Sequence, residues 1–275
     1  MKNLKMFCIT IEPSHVNFIR NLGYTPVGLG NKNFSKDCLE DKIGENISLK
    51  NKNYGEYTFH YWLWKNYLDK IKDEDWIGFC QYRKFWSIKE QEEKNIDINN
   101  LKEVVLSDIP SDFEDYDVIL GKPFFINERK FMKFIKKGLP LIISNPKFLF
   151  NKNKRNIKFH FDLMHGRNNL SKAIDLLDVN HRESFRKFVE SEVSFNPHNM
   201  FICKSKKILT DYYKDIFKWL ISCEKIFGFK NLSGYGMTRI YGFLAERFMS
   251  YWFKKNLKYK ELPIIFYDPN DHLKQ

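Results

Sequence analysis

The apolar run Trp76-Ile77-Gly78-Phe79-Cys80 constrains the fold of this chain more than any other feature. It is too short for a helix, and it lacks the polar alternate positions of a half-exposed strand. It therefore reads as a strand covered on both faces. Such strands lie in largely parallel sheets layered between helices. Lys5–Thr10 and Tyr24–Leu29 read as two more strands, the second held near turns by Pro26 and Gly30. Asp117–Leu120, Asn199–Lys204 and Ile264–Tyr267 read as further short strands, while Leu139–Pro146 stays open between strand and loop. Helical spacing joins Tyr57, Tyr61, Trp64 and Leu68, and recurs over Phe159–Leu177, Thr210–Phe227 and Tyr235–Asn256. Strands alternate with helices in the first half and helices dominate the second. The expectation is one α/β domain with a mostly parallel, Rossmann-type sheet. A soft boundary near 121–130 divides a nucleotide-binding half (residues 1–125) from a largely helical half (126–275).

Ligands of open α/β sheets bind beyond the carboxyl ends of the strands. At that end of the Trp76–Cys80 strand stand Gln81-Tyr82-Arg83-Lys84-Phe85-Trp86. An aromatic ring beside two cations suits a nucleotide diphosphate, with Arg83 supplying a planar fork and Lys84 a point charge. Asp73-Glu74-Asp75 and Asp115-Tyr116-Asp117 have the Asp-x-Asp spelling of a metal site, but both precede their strands, at the wrong end of the sheet. No metal ligands are expected, with Arg83 and Lys84 replacing a divalent cation; metal dependence itself stays open. Dinucleotide, P-loop, zincin and nucleophile-elbow motifs are all missing from the sequence.

Two groups of residues keep two readings each. Glu56 suits a general base, yet Asn53 and Glu56 also have the spacing of a capping box. Tyr57, Tyr61 and Trp64 read as a core stripe rather than a sugar platform. In the last long helix Ile240, Leu244, Phe248 and Trp252 face the core. Arg239, Phe243 and Glu246 fall on another face beside Gly242, as ligand contacts or as an internal ion pair.

The net charge of +12, from 46 basic and 34 acidic side chains, asks for an anionic partner. Nucleotide-linked substrates, anionic lipid headgroups and nucleic acid all qualify. Aromatic residues make up 17% of the chain, a surplus that serves stacking as well as packing. A nucleic-acid-binding module is the rival reading, but the lysines are dispersed and no reader motif occurs, so no nucleic acid is expected. Five widely spaced cysteines without a CxxC pair argue against both a disulfide framework and structural zinc. No apolar run reaches the roughly 18–20 residues of a membrane span, and no secretory signal is visible, so a cytoplasmic chain is expected. Lys130, Lys133, Lys136 and Lys137, with Phe131, Phe134 and Ile135 between them, could form a basic amphipathic helix on an anionic membrane, joined by Lys152, Lys154 and Arg155.

The order of motifs resembles an uncharacterised-domain family of bacterial capsular and exopolysaccharide glycosyltransferases. Asn46-Ile47-Ser48 is followed by Asn53-Tyr54-Gly55-Glu56-Tyr57-Thr58 and Tyr61-Trp62-Leu63-Trp64-Lys65-Asn66, then by Gly78-Phe79-Cys80-Gln81-Tyr82-Arg83-Lys84-Phe85. The family carries Gly-Leu-x-His-Tyr-Arg-Arg-Tyr at the last of these, so Gln81 and Lys84 are departures. Similarity continues through Tyr116–Leu120, His165 with Asn169-Leu170, Asn199–Ile202, and Arg239 with Gly242–Arg247, spanning about residues 5 to 253. The resemblance implies a GT-A-like fold and transfer of a hexosyl unit, such as galactose, from a UDP-sugar to a lipid-linked or oligosaccharide acceptor. No further cofactor is implied. Donor contacts are then expected from Thr10, Glu12, Asn46, Tyr82, Arg83, Lys84, Arg239 and Arg247, and acceptor contacts from Asn199 and Trp86. The catalytic base stays open among Glu56, His165 and Glu246.

Overall fold

The computed structural model describes residues 3–90, 98–128 and 151–271. Its main sheet contains β1 (Leu4–Thr10), β2 (Thr25–Gly28), β3 (Leu39–Glu40), β4 (Trp76–Gln81), β5 (Lys84–Trp86), β6 (Val118–Gly121), β9 (Phe201–Cys203), β10 (Tyr259–Leu262) and β11 (Ile264–Phe266). A separate ribbon pairs β7 (Phe124–Phe125) with β8 (Ser194–Phe195). The main path runs β10-β6-β9-β4-β1-β2-β3, with β5 and β11 branching from β4. β3, β2, β1 and β4 are parallel, as are β6 and β10, and β9 runs antiparallel between β4 and β6.

Alternation along each strand divides the core into two layers. Phe7, Ile9, Ile77, Phe79, Val118, Leu120 and Phe201 enter the layer under the helices Tyr57–Asn66, Lys206–Phe227 and Ile240–Asn256. Leu4, Met6, Cys8, Trp76, Cys80, Ile119 and Ile202 enter the opposite layer, which also takes in Ile19 from the helix Val16–Asn21 and Leu101 from the helix Ile98–Val104. The central run is thus buried on both faces, as its composition requires. Gly78 lies where a Cβ would come 2.9 Å from the Met6 side chain, so its bareness lets neighbouring strands pack.

Several sequence expectations are corrected in detail. Phe159–Leu177 is two helices, Ile157–His165 and Asn169–Ile174, parted at Gly166 and at the left-handed Asn168. The last long helix is preceded by a separate turn, Tyr235–Thr238, with the break at Arg239. The region of Leu139–Pro146 and the basic stretch 130–137 lie outside the described residues. Of the companion cations, Lys152 and Lys154 are exposed while Arg155 is buried, which removes Arg155 from any solvent-facing basic patch. All five cysteines are buried and unbridged. Among the described residues no helix is long and apolar enough to cross a membrane.

Candidate active site

A cavity of about 310 Å³ opens at the carboxyl ends of β1 and β4. The antiparallel course of β9 matters here, because its amino-terminal lead, His198-Asn199, arrives at the same rim. His198 and Asn199 both have positive φ, 76° and 53°, a strained conformation for side-chain-bearing residues. That bend turns the His198 N–H onto Glu246 Oε1 at 2.6 Å and its carbonyl onto Gln81 Nε2 at 3.0 Å. It also sends Asn199 Nδ2 to Glu56 Oε1 at 2.9 Å and to the Gly242 carbonyl at 3.2 Å.

Glu56 lies between two helices, Asn51–Tyr54 and Tyr57–Asn66, that Gly55 separates with a φ of +60°. A Cβ on Gly55 would meet the Arg239 guanidinium at 2.1 Å, so glycine supplies both the turn and the room for Arg239. Arg239 donates to Glu56 Oε2 at 3.0 Å. The capping-box reading is therefore overturned. Asn53 sits inside the first helix and donates instead to the Thr238 carbonyl at 2.7 Å, and the Glu56 carboxylate faces the cavity. The Arg239–Glu246 ion pair is also absent, since Glu246 pairs with Arg247, which follows it in sequence.

β4 and β5 are joined by the two residues Tyr82-Arg83, with Gln81 opposite Lys84. Cross-strand partners share a face. Gln81 and Lys84 consequently both line the cavity, linked by an Nζ–Oε1 hydrogen bond of 3.1 Å. Arg83, at the hairpin tip, is directed elsewhere and pairs with Asp268 at 3.0 Å. It does not line the cavity, contrary to its expected diphosphate contact. Arg83→Ala is accordingly expected to leave UDP affinity unchanged and to cost under about 1 kcal/mol of stability, as for a partly exposed ion pair. Titration calorimetry and a denaturant melt check both parts.

The other expected residues divide in the same way. Thr10 and Tyr82 line the cavity, and Tyr82 stacks on His15 at 4.6 Å. Glu12 turns aside to Lys32 at 2.5 Å. Asn46 is used up by its own loop, donating to the Gly44 carbonyl and accepting from Ser48. Trp86 is a correction: it is wholly buried between the strands and donates to the Phe79 carbonyl at 2.9 Å, out of reach of an acceptor. Tyr57 is buried, with Tyr61 and Trp64 packed against the same core. His165 and Arg247 line a neighbouring cavity rather than this one. Asn51, His198 and Tyr235 line the first cavity without having been singled out from sequence. Nothing in a linear reading marks them, because each arrives from a loop or helix end.

Two cations and two carboxylates thus surround one space. Burial pulls the Lys84 ammonium down from its ordinary value, while Glu56 and Glu246 hold it up. Burial raises the Glu246 carboxyl, and Arg247 opposes that rise. Burial lowers the His198 imidazole to about 4, helped by Lys84, and the His165 imidazole to about 2, helped by Arg247. Both rings are neutral near pH 7. His165 Nδ1 also donates to the Gly236 carbonyl at 3.1 Å. So depressed a ring is a poor base. Among the described residues no three His, Cys, Asp or Glu side chains cluster as metal ligands. Asp73 pairs with Lys206, and Asp117 accepts from the Lys258 N–H, beyond the opposite ends of their strands.

The model of the domain of unknown function DUF4422 matches residues 8–257. No curated protein matches the chain significantly. Among solved structures, the apo form of the bifunctional glycosyltransferase WbbM aligns with a TM-score of 0.70 at 21% identity, over 96% of this chain and 45% of that one. This chain thus spans less than half the length of that protein. The likeness shows a GT-A-like fold. Core-mannan synthase A from Aspergillus fumigatus, in its Mn/GDP form, aligns at a TM-score of 0.31 and 9% identity, over 91% of this chain and 69% of that one. That similarity is too low to carry an argument.

Proposed function

This chain belongs to the DUF4422 family, and we propose that it is a glycosyltransferase moving a hexosyl unit from a UDP-sugar to a glycan acceptor in surface-polysaccharide assembly. The observation that carries this reading is the convergence of Lys84, Arg239, Glu56 and Glu246 on one cavity at the carboxyl ends of β1 and β4. The nucleoside lies along Thr10, Ile11 and Tyr82. The diphosphate meets Lys84 and Arg239, whose charges offset the negative charge that grows on departing UDP.

Glu246 is the general base. It takes the proton of the acceptor hydroxyl as that oxygen bonds to the anomeric carbon, and the bond from that carbon to the β-phosphate oxygen breaks. Its elevated carboxyl makes it a stronger base than an ordinary glutamate. Glu56 is a positioning residue: its carboxylate ties Arg239 to Asn199 in the cavity wall. Calorimetric titration with UDP, UDP-galactose, UDP-glucose and a single-stranded oligonucleotide tests the reading. Saturable binding of UDP and a UDP-hexose is expected. Oligonucleotide binding without any UDP binding would favour the nucleic-acid module instead.

A further inference from the structure

A second cavity, about 510 Å³, adjoins the first, and His198, Tyr235, Phe243 and Glu246 line both. This size falls within the range of roughly 300–1,000 Å³ typical of small-molecule sites. We propose that this second cavity is the acceptor subsite and that it takes a neutral, hydroxyl-bearing sugar residue at the end of the acceptor glycan. The proposal rests on the glycosyltransferase reading and adds the site and the chemical class of the acceptor.

Its walls carry aromatic rings and polar groups together. The β7–β8 ribbon sets Phe124 against Phe195, with ring centroids 5.7 Å apart, and the Arg247 guanidinium lies over the Phe195 ring at 4.1 Å. Tyr235 meets Phe243 edge-on, also at 5.7 Å, and His165 stacks on Phe243 at 4.0 Å. Phe124, Tyr235 and Phe243 line the cavity and keep accessible surface, which suits the apolar C–H face of a sugar. The polar contact comes from Arg247, which is only 2% exposed. One of its NH groups binds Glu246 and the other lies 3.2 Å from His160 Nδ1, while its Nε is buried with no hydrogen-bond partner. Buried donors are seldom left unmet. A sugar hydroxyl oxygen would supply the acceptor.

Charge balance favours a neutral ligand over a uronate. The Arg247 cation is already offset by Glu246, and His165 and His198 are uncharged near pH 7. No spare positive charge faces the space from these groups. Position fits as well. Glu246 stands in the shared wall, so a hydroxyl entering from this cavity reaches the base while the anomeric carbon is held in the other. Close packing fixes the rim: a Cβ on Gly236 would stand 2.1 Å from the Met164 carbonyl.

Ser233 is exposed at the mouth of this cavity and does not line the first one. Ser233→Trp should therefore obstruct the acceptor path, with Ser233→Ala as the control. UDP release from UDP-galactose and UDP-glucose would be followed with p-nitrophenyl β-galactoside, β-glucoside, α-mannoside and β-glucuronide. At least one neutral glycoside should accelerate release by the unsubstituted chain, and the glucuronide should not. In Ser233→Trp the KM for that glycoside should rise by roughly tenfold or more, with UDP affinity by calorimetry unchanged. Stimulation by the glucuronide alone, by no glycoside at all, or with the same KM in Ser233→Trp would overturn the proposal while UDP still binds. Failure of the unsubstituted chain to bind UDP or either UDP-hexose would instead remove the reading beneath it.

Discussion

Glu246→Gln is expected to lower the turnover of sugar transfer by about 10²- to 10⁴-fold, the usual contribution of a positioned base. Its affinity for UDP should hardly move, because Glu246 acts on the acceptor hydroxyl. Glutamine keeps the shape and one acceptor oxygen for the His198 N–H, so the bend at His198-Asn199 has its contact. The Arg247 cation, however, loses its carboxylate, so folding must be checked by thermal melting. Glu246→Asp keeps the charge and should retain part of the activity that glutamine loses. The pH profile carries independent information. Burial raises the Glu246 carboxyl, and a base works only when deprotonated. Turnover should therefore be full above that raised pKa and fall as pH drops through it, at a point above the ordinary glutamate value of about 4.3. A turnover loss below about tenfold in a folded variant would take the base role away from Glu246.

Arg239→Ala should weaken UDP binding by about 1.5–3 kcal/mol, the range for hydrogen bonds to a charged group. That corresponds to a loss of roughly ten- to 150-fold in affinity. The substitution also removes the cation from Glu56 Oε2, leaving an uncompensated carboxylate facing the diphosphate. The contrast with Arg83 is the informative part. Both are arginines near the carboxyl end of the sheet, but Arg83 is committed to Asp268 and Arg239 lines the cavity. Calorimetry on the two alanine variants separates them, and equal losses would contradict the geometry.

The same contrast shows what a linear reading reaches and where it stops. Trp76–Cys80 was legible as a central strand because the run is too short for a helix and has no polar alternate positions, as burial on both faces requires. The position of the cavity followed from the end of that strand. Which side chains enter it did not follow. A two-residue hairpin after Gln81 reverses the chain, so Lys84 returns beside Gln81 while Arg83 is left at the tip. Strong hydrophobic and basic character could not distinguish these outcomes, since it carries no register. Trp86 was misplaced for the same reason: β5 folds back into the sheet and buries it.

Long-range pairing accounts for most of what remained hidden. Glu56 fits a capping box by spacing, yet partners from 143 and 183 residues away, Asn199 and Arg239, claim its carboxylate. The antiparallel insertion of β9 and the left-handed bend before it bring His198 and Asn199 to the rim. No local propensity announces either. Gly55 is the one local mark of this geometry, since its missing side chain leaves room for Arg239.

The central claim is that a UDP-sugar binds in the Lys84–Arg239 cavity with Glu246 beside the sugar. A crystal structure of the chain with a bound UDP-hexose measures this most directly. The account predicts the diphosphate within hydrogen-bond distance of Lys84 Nζ and the Arg239 guanidinium, the nucleoside along Thr10–Ile11, and the anomeric carbon on the Glu246 side. A diphosphate held at Arg83, or a sugar pointing away from Glu246, would contradict it.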